Sequence, residues 1–144
     1  MTQAITNSAL AESLVHDVMY GLDHEEVWAV FLTAAKTVIC KEMISMGTLK
    51  SAMFSNQRLL RRALLNNAAG VIIFHNHPSG NPIPSLADLT MTDRLKDACR
   101  IMDVEFVDHI IVADDSYFSV QLAKTFYRNG MSKPNRAPRR RRRE

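Results

Sequence analysis

Three observations on this 144-residue chain predict an α/β fold, a mixed central β-sheet flanked by helices. Segments with apolar residues at helical spacing alternate with short apolar runs of strand length. The longest of these runs, residues 27–32 and 68–74, are too short to span a membrane. The elements follow one another as α-β-β-α-β-α-β-β, an order that lays strands side by side and leaves the helices to cover their faces. A chain of this length forms one domain that buries most of its sheet and needs no metal to fold.

Leu10, Leu14, Val18 and Leu22 recur every four residues, which predicts an amphipathic helix within residues 1–22, with Gly21 near its end. Residues 26–35 and 38–46 read as two strands joined by a short turn, an antiparallel hairpin, and Gly47-Thr48 ends the second. Ser55 or Asn56 caps a helix running through Asn67, with Leu59, Leu60, Ala63 and Leu64 inward and Arg58, Arg61 and Arg62 toward water. Residues 70–76 form a buried strand. Prolines and a glycine then stiffen a loop that ends the strand and delivers a helix start beside it. That helix runs from Ser85 to about Met102, with Met91, Leu95, Ala98 and Met102 as its inner stripe. Residues 104–112 and 117–120 supply the last strands, around the turn Ala113-Asp114-Asp115.

The segment HNHPSGNPIPSLAD carries the chemistry. Side chains two apart on a strand point the same way, so His75 and His77 can present two nitrogens to one metal ion. Asp88, eleven residues after His77, supplies a third ligand once the loop folds back. Three ligands of mixed nitrogen and oxygen type leave a tetrahedral zinc ion one position for water and substrate, which is a hydrolytic site and not a structural one. Ser85 and Asp88 also have the spacing of a helix capping box, with Pro84 just ahead. The two readings hold together, because a helix start favours a carboxylate in its first turn.

The ordered pattern His-x-His, seven residues, Ser, two residues, Asp resembles the JAMM signature of the JAB/MPN metalloprotease superfamily. Gly47-Thr48-Leu49, the runs at 63–80, 84–88 and 108–112, and the motif between them resemble its bacterial RadC branch, over roughly residues 10 to 125. The chain departs from the pattern at Thr33-Ala34-Ala35, where members commonly carry an aspartate. The resemblance implies a JAB/MPN-like three-layer, cytidine-deaminase-like fold. It also implies a Zn2+ cofactor on His75, His77 and Asp88, and a glutamate on an early strand as general acid/base. Glu25 and Glu26 are the candidates, and alternation along a strand forbids both from facing the metal. Glu26 is the choice, because Glu26-Val27-Trp28 leading into Ala29-Val30-Phe31-Leu32 matches the family's Glu-x-aromatic run. Ser85 would donate a hydrogen bond to the oxyanion of a tetrahedral intermediate. The implied activity is a zinc-dependent metallopeptidase or isopeptidase acting on a peptide or protein substrate. The other class is a DNA-associated accessory protein with a non-catalytic metal site. RadC proteins usually carry a helix-hairpin-helix module ahead of this domain, for which this chain has no room, so a DNA-repair role finds little support here.

Other chemistries fail on spacing. HNH nucleases disperse their three residues over a ββα unit, whereas His75-Asn76-His77 is contiguous. His24-Glu25-Glu26 has Trp28 where a His-Glu-x-x-His zinc site needs its second histidine. A nucleobase deaminase needs a Pro-Cys-x-x-Cys, and Cys40 and Cys99 are far apart. Two such cysteines read as buried free thiols of a reducing, cytoplasmic compartment. Asp108-His109 reads as a satisfied core or edge pair, with the alternative that this histidine orients a metal ligand from behind, and His16 and His24 receive no role.

The layout expected is an N-terminal helix at 1–22, the hydrolase domain at 23–128 and a tail at 129–144. Residues 131–144 hold seven Lys/Arg against one acid, a net of +6, so residues 1–130, with 11 against 14, carry −3. The basicity therefore belongs to the tail, which reads as disordered by composition. Its five consecutive arginines, Arg139 to Arg143, can hold nucleic acid weakly or simply solubilise the chain.

Overall fold

The computed structural model describes residues 4–47 and 55–128; the basic tail lies outside them. Strands β1 (Glu26–Leu32) and β2 (Val38–Met46) form the expected antiparallel hairpin. The chain reverses earlier than expected, because Thr33 and Thr37 bond each other and Lys36 takes φ 64°. The single N-terminal helix of the sequence reading is instead two short ones, α1 (Ser8–Ser13) and α2 (His16–Met19). Ser13 Oγ donates back to Leu10 O at 2.6 Å, and the amides of Leu14 and Val15 bond three residues back, which tightens the turn and breaks the ladder.

α3 (Asn56–Leu65) starts at Ser55, whose Oγ accepts the Arg58 amide, and leads into β3 (Gly70–Asn76). β3 connects through α4 (Leu86–Ile101) to β4 (Glu105–Val112), followed by β5 (Ser116–Ser119) and β6 (Lys124–Tyr127). β6 is a strand the sequence reading missed. The sheet order is β2-β1-β3-β4-β5-β6, antiparallel throughout except for β3 and β4. A parallel pair needs a long crossover, which α4 supplies.

Alternation along the central strands builds a core on each face. Val30, Leu32, Ile72 and Phe74 pack with Ala11, Val15 and Met19 of the α1–α2 segment. Ala29, Phe31, Val71 and Ile73 pack with Leu59 and Ala63 of α3 and with Leu95 and Cys99 of α4. The fold is thus a mixed α/β arrangement with helices on both sides of the sheet. Two helix stripes differ from expectation. On α3, Leu64 is exposed, and Arg62 is not merely solvated but grips Glu42 of β2 through two bonds, at 2.7 and 2.9 Å. On α4, the buried series is Asp88, Thr92, Leu95 and Cys99, whereas Met102 is exposed. Both cysteines are free, Cys99 buried and Cys40 half-buried. Among the described residues no helix is long and apolar enough to cross a membrane.

Candidate metal centre

His75 continues the series Val71, Ile73 on β3 and so faces α4. β1 runs antiparallel to β3, which sets its first residues beside the end of β3, with Val27 opposite His75. The position lies off the carboxyl end of β3, between its antiparallel neighbour β1 and its parallel neighbour β4. Beyond it, the His77 amide bonds Val112 O at 2.9 Å, and Gly80, at φ 90°, reverses the loop. Ser85 then opens α4: its Oγ accepts the Asp88 amide at 3.1 Å, and Asp88 Oδ2 accepts the Ser85 amide at 2.8 Å. This capping box places the Asp88 carboxylate inside, 1% exposed.

His75, His77 and Asp88 converge, each offering one donor atom within 4.8 Å of the others. His75 Nδ1 stands 3.1 Å from Asp88 Oδ1, and His77 Nε2 stands 3.1 Å from Oδ2. His77 Nδ1 lies 2.8 Å from Asn81 O. A carbonyl only accepts, so Nδ1 carries a proton, and Nε2 is the nitrogen turned on Asp88. His75 Nδ1 is buried and has no hydrogen-bond partner among the described residues. Two imidazole nitrogens and a carboxylate oxygen gathered in one largely buried place make a mixed nitrogen–oxygen donor set that fits a divalent ion.

The electrostatics agree. Burial works against charge on His75, yet the Asp88 and Glu25 carboxylates outweigh it and raise its pKa. Burial likewise works against ionised Asp88, but His75, His77 and the Ser85 amide hold that carboxyl well below the usual range. Contact with His75 lowers Glu25. Each direction describes a site that favours positive charge between two carboxylates.

The glutamate that reaches this site is Glu25, whose Oε1 lies 2.5 Å from His75 Nε2. Glu26 points to the opposite side. Its Oε1 accepts the Trp28 Nε1–H at 2.8 Å, and its Oε2 lies 2.7 Å from His24 Nε2. The placement of Glu26 at the metal is therefore corrected: the glutamate–aromatic spacing that selected it reflects a carboxylate–indole bond on the α1–α2 side of the sheet. Ser85 stands where expected, engaged through its cap with Asp88.

A further support reaches the Asp88 backbone from β4. His109, fully buried in β4, has Nδ1 2.6 Å from Thr92 Oγ1, while the Thr92 hydroxyl donates to Asp88 O at 2.8 Å. Having spent its one proton, the hydroxyl accepts from His109 Nδ1–H. Burial pushes His109 down to about 3, so the ring is neutral. The adjacent Asp108 accepts from the amides of His109 and Gln121 and from Ser119 Oγ, which ties β4 to the end of β5.

The family model for the RadC-like JAB domain matches residues 5–125, and the chain belongs to that family. It is 38% identical over 116 residues to a UPF0758 protein of Desulforudis audaxviator, covering 81% of this chain and 50% of the relative. To a UPF0758 protein of Haemophilus ducreyi it is 40% identical over 129 residues, covering 90% and 57%. The chain thus spans about half the length of the curated relatives it matches.

Proposed function

We propose that the chain is a zinc-dependent hydrolase of amide bonds, a peptidase or isopeptidase acting on a peptide or protein. The observation that carries this reading is the convergence of His75, His77 and Asp88 with a second carboxylate, Glu25, held against the same histidine. A two-histidine, one-carboxylate set suits zinc and leaves room in its coordination for a small ligand. When bound, the ion supplies Lewis acidity, polarising a carbonyl and making water a usable nucleophile near pH 7. Glu25, its carboxyl held low by His75, lies against the Nε2 side of that ring as the second carboxylate of the site, and in this reading it takes the proton of the attacking water and returns it to the leaving amine. Ser85 retains a hydroxyl proton while its oxygen caps α4, so it can donate to the developing oxyanion.

Bound zinc per chain, measured before and after chelation, together with turnover of a pooled peptide library, tests the reading. His75→Ala, His77→Ala and Asp88→Ala should each lose both zinc and turnover. Zinc held at full stoichiometry by the double histidine variant overturns the ligand assignment. DNA retention that depends on residues 131–144, without hydrolysis of any peptide, would favour an accessory role instead.

A further inference from the structure

We infer that Asn76, between the two metal-site histidines, is a positioning residue for Glu25: its carboxamide bridges the peptide groups on either side of Glu25 and so sets where that carboxylate points. The inference rests on the reading of Glu25 as the proton acceptor. Pairing between β1 and β3 ends at Val27 opposite His75. Beyond that point β3 stays with β4, through Asn76 opposite Val112 and the His77 amide on Val112 O. The backbone of residues 24–26 has by then lost β3 as a pairing partner.

The Asn76 side chain takes over. Nδ2–H donates to His24 O at 2.8 Å, and Oδ1 accepts the Glu26 amide at 2.7 Å. These two backbone atoms belong to the peptide planes before and after the Glu25 Cα. Because each plane is rigid, fixing both fixes φ and ψ of Glu25. From the β2 side, the Gly47 amide bonds Glu25 O at 2.7 Å, holding the second plane again. Asn76 is 3% exposed, so its bonds are shielded from competing water. Only the side-chain torsions of Glu25 remain to bring its Oε1 to His75. The residue type follows from the task. A carboxamide offers one donor and one acceptor; aspartate has the same shape but sets an oxygen against His24 O, and glutamine is a methylene too long.

The test uses the full chain with zinc, comparing Asn76→Ala, Asn76→Asp, Glu25→Gln and the Asn76→Ala/Glu25→Gln double variant. Zinc content, turnover of pooled internally quenched peptides and NMR exchange of the Glu26 amide are measured. Asn76→Ala should keep zinc, speed Glu26 amide exchange about tenfold or more, and lower kcat by about 10²-fold with KM little changed. Asn76→Asp, which keeps the acceptor, should leave the Glu26 amide protected and still lose kcat, and it carries the test if the alanine variant does not fold. The double variant should be no slower than Glu25→Gln alone. Wild-type kcat in either Asn76 variant, loss of zinc, or a double variant far slower than Glu25→Gln overturns the inference. Should the wild-type chain cleave no peptide, the hydrolase reading fails by itself. The clamp is then judged on chelator-treated protein by the proton resonance held between His75 Nε2 and Glu25, which Glu25→Ala removes. Asn76→Ala should remove it too, and its retention there overturns the clamp.

Discussion

Glu25 and Glu26 adjoin in the chain and project to opposite faces of the sheet, the first onto His75 and the second onto Trp28. Their variants should therefore separate. Glu25→Gln should keep zinc and lose about 10²- to 10⁴-fold in kcat, whereas Glu26→Gln should turn over near the wild-type rate. Kinetics and metal content measured side by side check this. The reverse ranking would return the acid/base role to Glu26.

Ser85 has two tasks that one substitution can part. Ser85→Ala removes the α4 cap and should cost about 0.5–2 kcal/mol in urea unfolding, and it should lower turnover on the order of 10²-fold. Ser85→Asp restores a capping oxygen but, being ionised, has no proton to donate. Stability should recover while turnover stays low, and recovery of both would leave Ser85 as a cap alone.

Thr92 joins the helix that carries Asp88 to the buried His109. Thr92→Val keeps the shape but strands the His109 Nδ1–H in the core, at a cost of about 1–3 kcal/mol. Thr92→Ser should regain most of that loss. Denaturant midpoints for the three proteins decide it.

Glu42 predicts a pH dependence. The Arg62 guanidinium, helped by Asn66, lowers its pKa to about 2 from an ordinary 4.5. A depressed carboxyl contributes stability that is present above its unfolded pKa and lost as pH falls through the folded value. The melting-temperature gap between wild type and Glu42→Gln should therefore be full at pH 6 and shrink between pH about 4.5 and about 2. A gap that does not change over that window would show that the pair contributes no stability.

What the sequence revealed depended on how locally each feature is written. The bounds of β2 and β3 were legible because a turn or a glycine limits an uninterrupted run. The grouping of His75, His77 and Asp88 was legible because one loop and one helix start bring them together. The choice between Glu25 and Glu26 was not, because β1 is buried on both faces and its apolar pattern hides which side a residue takes. The inner stripe of α4 was misplaced because two of its members, Asp88 and Thr92, are polar and satisfied by partners distant in sequence. β6 escaped notice as four residues with no long apolar run to mark them.

His77 and Asp88 stand eleven residues apart, yet Glu25 arrives from fifty residues before His75. On the proposed reading, ion capture and proton handling fall to different stretches of chain and can be lost one at a time. Drift at the start of the first strand would leave a carrier that still fills with metal and cuts nothing, so occupancy alone does not report chemistry in such a protein.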